Sequence, residues 1–203
     1  MLQRQTMIYT ELSPNPNSMK FVLNFELAPE GLSFDYPTIA STAEEGKASP
    51  LAADLFQFPF VRRIFIASNF ITLSKEEETE WEDVVYDVKK FLKIYFEQNH
   101  PVFAQKTIDK NTLIIDANDS AVVAKIKSTL DQYVRPAVES DGGAINFASF
   151  DEITGQVKVY LQGSCSGCPS STVTLRDGIQ RLLTTMVPEV KEVVAEGQDF
   201  QFK

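Results

Sequence analysis

The chain is poor in the residues that build metal and redox sites. It has two cysteines, one histidine and one tryptophan in 203 residues. Two cysteines make no disulfide framework, which points to a reducing compartment. No apolar run is long enough to span a membrane. The start, Met1-Leu2-Gln3-Arg4-Gln5, reads as neither a secretory signal nor an Arg- and Ser-rich transit peptide. Excess positive charge is also missing: the net charge is -9, with -6 on residues 1–118 and -3 on residues 119–203. Neither part has the basic footprint of a nucleic-acid binder. With 43% hydrophobic and 23% charged residues, what remains is an ordinary globular chain.

The N-terminal half reads as strands and helices around a core. Residues 6–12 and 19–27 are expected as strands across the turn Ser13-Pro14-Asn15-Pro16-Asn17-Ser18, the second alternating as a half-buried strand does. Residues 29–48 read mostly as loop. Ser49-Pro50 opens a short helix, with serine as its cap. Val61–Ile66 and Phe70–Leu73 form a hairpin around Ser68-Asn69. Ser74-Lys75-Glu76-Glu77 matches a capping box. The helix it introduces carries Trp81, Val84, Val85, Val88, Phe91, Leu92, Tyr95 and Phe96 on one stripe, a core face. Residues 101–118 are polar and aperiodic and are expected to link two domains, 1–100 and 119–203, with a short strand at Leu113-Ile114-Ile115.

In the second domain Val122, Val123, Ile126, Leu130, Tyr133 and Val134 recur at helical spacing. Pro136 should disturb that helix and Asp141-Gly142-Gly143 should end it. A hairpin of 144–151 and 156–162 follows, then a cysteine loop. A helix from about Ser170 to Val187 buries Leu175, Ile179, Leu182, Leu183 and Met186, and a last strand runs over Val190–Val194. The fold class is α+β: two small domains, each a short sheet packed with helices, the C-terminal one ordered α-β-β-α-β.

Both cysteines lie in Gly163-Ser164-Cys165-Ser166-Gly167-Cys168-Pro169. Thiols at this spacing can bind one metal centre or close a disulfide. A metal–thiolate site usually takes four ligands, and the chain supplies two. His100, 65 positions upstream beside Pro101, is no partner. A full thiolate site therefore needs a second copy of the chain. The rival reading is a redox dithiol, with Cys165 as nucleophile and Cys168 as resolving thiol, which one copy can provide alone. A thioredoxin-like site, however, needs a βαβ setting that the sequence does not show upstream. A position between a strand and a helix start stabilises thiolates. Gly163 and Gly167 let backbone approach sulfur, Pro169 stiffens the exit, and Ser170 or Ser171 is the expected helix cap.

Arg135-Pro136-Ala137-Val138-Glu139-Ser140-Asp141-Gly142-Gly143, the cysteine loop through Ser171, Thr174-Leu175 and Pro188-Glu189-Val190 occur in the order seen in the C-terminal domain of NifU-like (Nfu-type) iron–sulfur carrier proteins. Residues 119–197 resemble that domain. Pro14 to Phe21, Ser49-Pro50-Leu51-Ala52 and Val61 to Leu73 leading into Trp81 resemble the Nfu-type N-terminal domain. Phe60 stands where those relatives often have glycine. The resemblance implies a carrier rather than an enzyme. It would hold a [4Fe–4S] cluster between two subunits through Cys165 and Cys168 of each, receive it from upstream assembly machinery and pass it to apo iron–sulfur proteins. It implies a homodimer when loaded, no nucleic acid and no membrane, and a cytoplasmic setting, or the mitochondrial matrix for a eukaryotic mature form. Client recognition falls by resemblance to the cysteine-free N-terminal domain.

A fragment covering residues 116–203 is expected to fold by itself and to assemble the cluster, since it holds both cysteines and enough amphipathic elements to bury a core. Circular dichroism and iron analysis of the reconstituted fragment check this. A folded fragment that holds no iron would mean that the N-terminal half helps to build the site.

Overall fold

The computed structural model describes residues 5–29, 31–104, 115–165 and 169–197. The chain divides into two compact units, residues 1–110 and 111–203.

The N-terminal unit is a five-stranded antiparallel sheet in the order β1-β2-β5-β4-β3, made of β1 (Ile8–Leu12), β2 (Ser18–Leu23), β3 (Ser33–Tyr36), β4 (Val61–Ala67) and β5 (Phe70–Lys75). Alternate residues of the strands (Phe21 and Leu23, Phe34 and Tyr36, Ile64 and Ile66, Ile71 and Leu73) form one core with α1 (Pro50–Leu55) and α2 (Trp81–Glu97). The helix stripe read from the sequence is the buried one: Trp81, Val88, Leu92, Tyr95 and Phe96 are buried, and Val84, Val85 and Phe91 are partly so. Ser49 caps α1 by accepting from the Ala52 amide at 3.1 Å. The hairpin between β4 and β5 turns on Ser68, which takes a φ of 43°.

Two expectations need correction and two gain detail. First, residues 29–48 are mostly loop, as expected, but not entirely. They contain β3, paired with β4 through Phe34 and Ile66, and a 3-10 helix at Ile39–Ala43. Four alternating residues among prolines and glycines are too few to register as a strand. Second, β2 is buried along its whole length. Lys20 is accommodated by Glu11 at 3.1 Å and by the ring of Phe70, 4.4 Å from its ammonium. Third, Ser74 caps no helix. It lies in β5, its hydroxyl 2.8 Å from that of Ser18 on the paired strand. Helix α2 starts only at Trp81, after Glu80. Fourth, the turn before β2 is anchored by that same tryptophan, whose indole N–H donates to Pro16 at 3.1 Å; the sequence showed the turn but not its partner.

After α2 the chain returns over this unit. Tyr95 donates to the Pro101 carbonyl at 2.7 Å, Ser49 to the Val102 carbonyl at 2.6 Å, and the Ala104 amide to the Ala48 carbonyl at 2.9 Å. Phe103 sits against Phe34 with ring centroids 4.3 Å apart. Leu113 and Ile114 of the expected short strand lie outside the described residues; Ile115 is half exposed. Phe60 is buried against Phe58, with ring centroids 5.5 Å apart.

The C-terminal unit has the anticipated α+β order, with its first helix in pieces. Ser120 caps α3 (Ala121–Thr129), a π turn covers Leu130–Val134, and α4 (Arg135–Ser140) follows. Ile126, Leu130, Val134 and Val138 are all buried. Steps of four advance by about 40° beyond a full turn in an α-helix, and the wider π turn takes up this drift just before Pro136, which has no amide to donate. The same turn leaves Tyr133 half exposed, against expectation. Strand β6 (Gly143–Asp151) pairs antiparallel with β7 (Gln156–Gly163), and β7 pairs parallel with β8 (Glu192–Gly197). Helix α5 (Pro169–Met186) is the crossover between β7 and β8. It buries Ile179 and Leu183, while Val187 just beyond it is buried in place of Met186, which is 38% exposed. Among the described residues no helix is long and apolar enough to cross a membrane.

Burial raises the Tyr95 hydroxyl to about 12, with the charge of Asp54 adding to the effect. A tyrosine in the unfolded chain titrates near ~10. Between these values the folded state holds the extra proton, so stability falls as pH rises. We expect this contribution to be intact below about pH 10 and lost between about pH 10 and 12. Tyr95→Phe should flatten that part of a melting-temperature profile. An unchanged alkaline slope would contradict the assignment.

Candidate metal centre

Strand β7 ends in Gly163 and passes into Ser164 and Cys165; α5 begins four residues later at Pro169. The cysteine loop is therefore at the carboxyl end of a strand and at the start of an 18-residue helix, whose free amides favour negative charge. Proline takes the first helical position, where its missing amide costs nothing. Ser170 and Ser171 thus lie within the first turn rather than at the cap. The parallel pairing of β7 with β8 makes a strand–helix–strand crossover downstream of the loop, which the sequence did not show. Upstream, β7 is flanked by antiparallel β6.

Of the two candidate ligands, Cys165 is described and Cys168 lies outside the described residues. Cys165 is 6% exposed and belongs to the buried cluster that includes Val138, Ile145 and Leu161. Burial pushes its thiol up to about 11; the Ser164 hydroxyl partly offsets this, and the charge of Asp141 adds to it. At neutral pH it is a protonated thiol and a weak nucleophile. Binding a metal would remove that proton. Among the described residues no three His, Cys, Asp or Glu side chains gather as a metal site. His100 is occupied in the N-terminal unit, 3.0 Å from the Gln98 side chain and stacked obliquely on Tyr95.

The surroundings of Cys165 come from Asp141-Gly142-Gly143, which the sequence marks only as a helix end. Asp141 closes α4. Gly142 follows with a φ of 84°, as the residue after a helix cap often does. One glycine suffices for that. The second, Gly143, does not have positive φ; it is the first residue of β6 and pairs with Gly163. Here space is the constraint. A Cβ on Gly143 would stand 2.5 Å from the Gln162 carbonyl oxygen and 2.8 Å from the Cys165 sulfur. The sulfur occupies the notch that the missing side chain leaves. Ser164 ties the loop to the same turn: its amide donates to the Gly142 carbonyl at 3.3 Å and its hydroxyl to the Asp141 carbonyl at 2.5 Å. A second glycine after a completed helix cap is the signal that could have revealed this cradle. A soft sulfur donor walled by glycine and serine, at a helix start, suits iron or another thiophilic metal.

The chain matches known proteins over nearly all its length. A family model described as "Scaffold protein Nfu/NifU N terminal" matches residues 8–99, and one described as "NifU-like domain" matches residues 126–194. The chain is 40% identical to "NFU1 iron-sulfur cluster scaffold homolog, mitochondrial" of Drosophila willistoni over 94% of its own length and 64% of that protein's. It is 40% identical to "NifU-like protein 5, mitochondrial" of Arabidopsis thaliana over 96% of its length and 70% of the relative's. The chain thus spans a little under two thirds of the fly relative. A solved NifU-like protein from Saccharomyces cerevisiae is 24% identical, with 52% of this chain and 90% of that one aligned at a TM-score of 0.44.

The notch yields a mutational test. Gly143→Ala should destabilise the C-terminal unit by about 1–3 kcal/mol, because the clash is partly with backbone, and should make Cys165 more reactive to alkylation. Gly178→Ala is the control: its Cβ would meet nothing within 4 Å, and helix propensity predicts a gain of about 0.5–1 kcal/mol. Thermal melts of both variants decide the matter; a Gly143→Ala protein as stable as the parent would show that the notch is not required.

Proposed function

The chain belongs to the Nfu/NifU family of scaffold proteins, and on that basis we propose that it carries an iron–sulfur cluster as cargo rather than catalysing a reaction. The cluster is a [4Fe–4S] unit held between two copies of the chain, with Cys165 and Cys168 of each as its four ligands. The observation that carries the reading is Cys165 itself. It is a thiol fixed at the end of β7, set in a notch of glycine and serine, in a loop that contains the chain's only other cysteine. Two thiolates per chain are half of the ligand set that a cubane cluster takes.

Sharing between chains suits transfer. A cluster with all four ligands from one rigid fold would be held on every side. With two short loops meeting face to face, separation of the chains frees coordination positions for the thiolates of an apo-protein. Ligand exchange of this kind replaces one thiolate by another and needs no change in oxidation state. The cargo comes from upstream assembly machinery, and the recipients are apo iron–sulfur proteins. The names of the fly and plant relatives place those proteins in mitochondria, and we assign this chain to the mitochondrial matrix on the same ground. The cysteine-free N-terminal unit serves recognition of donors or clients. The strand–helix–strand unit that spans the loop is compatible with the dithiol oxidoreductase reading, but a neutral, buried Cys165 is a poor attacking thiol.

Anaerobic reconstitution with iron and sulfide tests the proposal. We expect a brown protein with about two irons per chain, as a shared four-iron cluster requires, and a shift from monomer to dimer in light scattering. Cys165→Ser and Cys168→Ser should each lose more than about 90% of the bound iron, since hydroxyl is a far poorer iron ligand than thiolate; both should fold, Cys165→Ser at some cost in stability because its sulfur is packed in the core. Full iron retention in either variant would refute the ligand assignment. A monomer with reversible dithiol chemistry and no iron would favour the oxidoreductase.

A further inference from the structure

We propose that Ser164 is a positioning residue of the ligand loop, fastening Cys165 to the Asp141-Gly142-Gly143 turn through backbone and hydroxyl together. The proposal rests on the reading of Cys165 as a cluster ligand and adds a residue that acts through it.

Ser164 is 2% exposed, although it lies in a loop between a strand and a helix. Loop serines are mostly solvated, so burial here calls for partners. They come from both ends of the residue. The amide donates to Gly142 and the hydroxyl to Asp141, two successive carbonyls of one turn. The hydroxyl oxygen also lies 3.8 Å from the Cys165 sulfur, within reach of a hydrogen bond involving sulfur. One side chain therefore joins the helix end, the first residue of the loop and the ligand atom. The turn receives the sulfur in the notch of Gly143 from the other side. Gly163, with a φ of 66°, bends the chain just before the serine.

The chemistry makes this more than packing. A metal ligand performs well only when groups behind it fix its direction. Alanine would keep the backbone bond, remove the hydroxyl contact and leave the Asp141 carbonyl without it. Threonine would keep the hydroxyl. Cysteine reactivity and cluster retention should therefore follow the hydroxyl rather than the size of the side chain.

Two measurements test this on the full chain. In the first, Cys165 is the lone thiol, in a Cys168→Ser background, and its alkylation rate is compared with and without Ser164→Ala. We expect the rate constant per thiolate, taken from the pH profile of alkylation so that the lost acidifying contact of the hydroxyl is separated out, to rise about fivefold, the factor that a net hydrogen bond of about 1 kcal/mol carries. In the second, both cysteines are present. Parent, Ser164→Ala and Ser164→Thr proteins are reconstituted with iron and sulfide, and cluster loss to excess chelator is followed by absorbance. Loss should be about fivefold faster for alanine and close to the parent rate for threonine. Equal rates for alanine and parent in both measurements overturn the proposal. A parent protein that takes up no iron overturns the cluster reading instead, and the fastening of the loop is then judged on alkylation alone. If Ser164→Ala does not fold, amide exchange in the parent chain decides: a protected Ser164 amide supports the fastening, and exchange at the rate of an unstructured peptide refutes it.

Discussion

The contact between the Cys165 sulfur and the bare α-carbon of Gly143 is the constraint on which the C-terminal unit turns. It brings three elements to one point: the end of α4, the start of β6 and the end of β7. The hairpin register begins at the same point, where Gly143 pairs with Gly163, and runs on from there apart from the shift at the bulge after Phe147. The hairpin in turn decides which residues of β7 face the helices. Val157, Val159 and Leu161 are buried while Lys158 is exposed, and a slip of one residue would reverse them. The start of the cysteine loop, Ser164-Cys165, is thus built into the packing of the sheet rather than appended to it.

This arrangement reconciles two requirements that oppose each other. A thiol meant to bind a metal should be accessible, yet a free thiol in a cell should be protected from oxidation. Burial and the charge of Asp141 keep the sulfur protonated, while its place two residues beyond the end of β7 puts it where the chain leaves the sheet. The α5 helix start supplies the positive end of a dipole near the place where negative charge would develop. The N-terminal unit is organised differently. Its sheet carries a large aromatic core centred on Phe21, Phe34, Tyr36 and Trp81, and its sole histidine is engaged with Gln98 and Tyr95. Its sequence holds no cysteine.

Much of this was legible in the sequence where periodicity was long. The α2 stripe from Trp81 to Phe96, the β4–β5 hairpin and the α-β-β-α-β order all carry patterns that survive any tertiary context. What could not be read was set by partners distant in the chain. Ser74 satisfies a local capping rule, but a hydroxyl on a neighbouring strand takes it instead. Strand β3 is too short to show its alternation. Met186 and Val187 exchange roles at the end of α5 because the helix stops one turn position earlier than the apolar run. At the site, the CxxC spacing and the flanking glycines named the ligand candidates directly. The second glycine of the turn and the buried serine were visible as letters but not as a cradle, since the glycine's meaning depends on the Cys165 sulfur and the serine's on the Asp141 carbonyl, each more than 20 positions away in the sequence.

The central claim is that two chains share one cluster through Cys165 and Cys168. Native mass spectrometry of the anaerobically reconstituted full chain tests it most directly. The account predicts a single species with the mass of two chains and one Fe4S4 unit, and its disappearance in either cysteine-to-serine variant. One chain carrying a complete Fe4S4 unit, or two chains associated without iron under the same conditions, would contradict it.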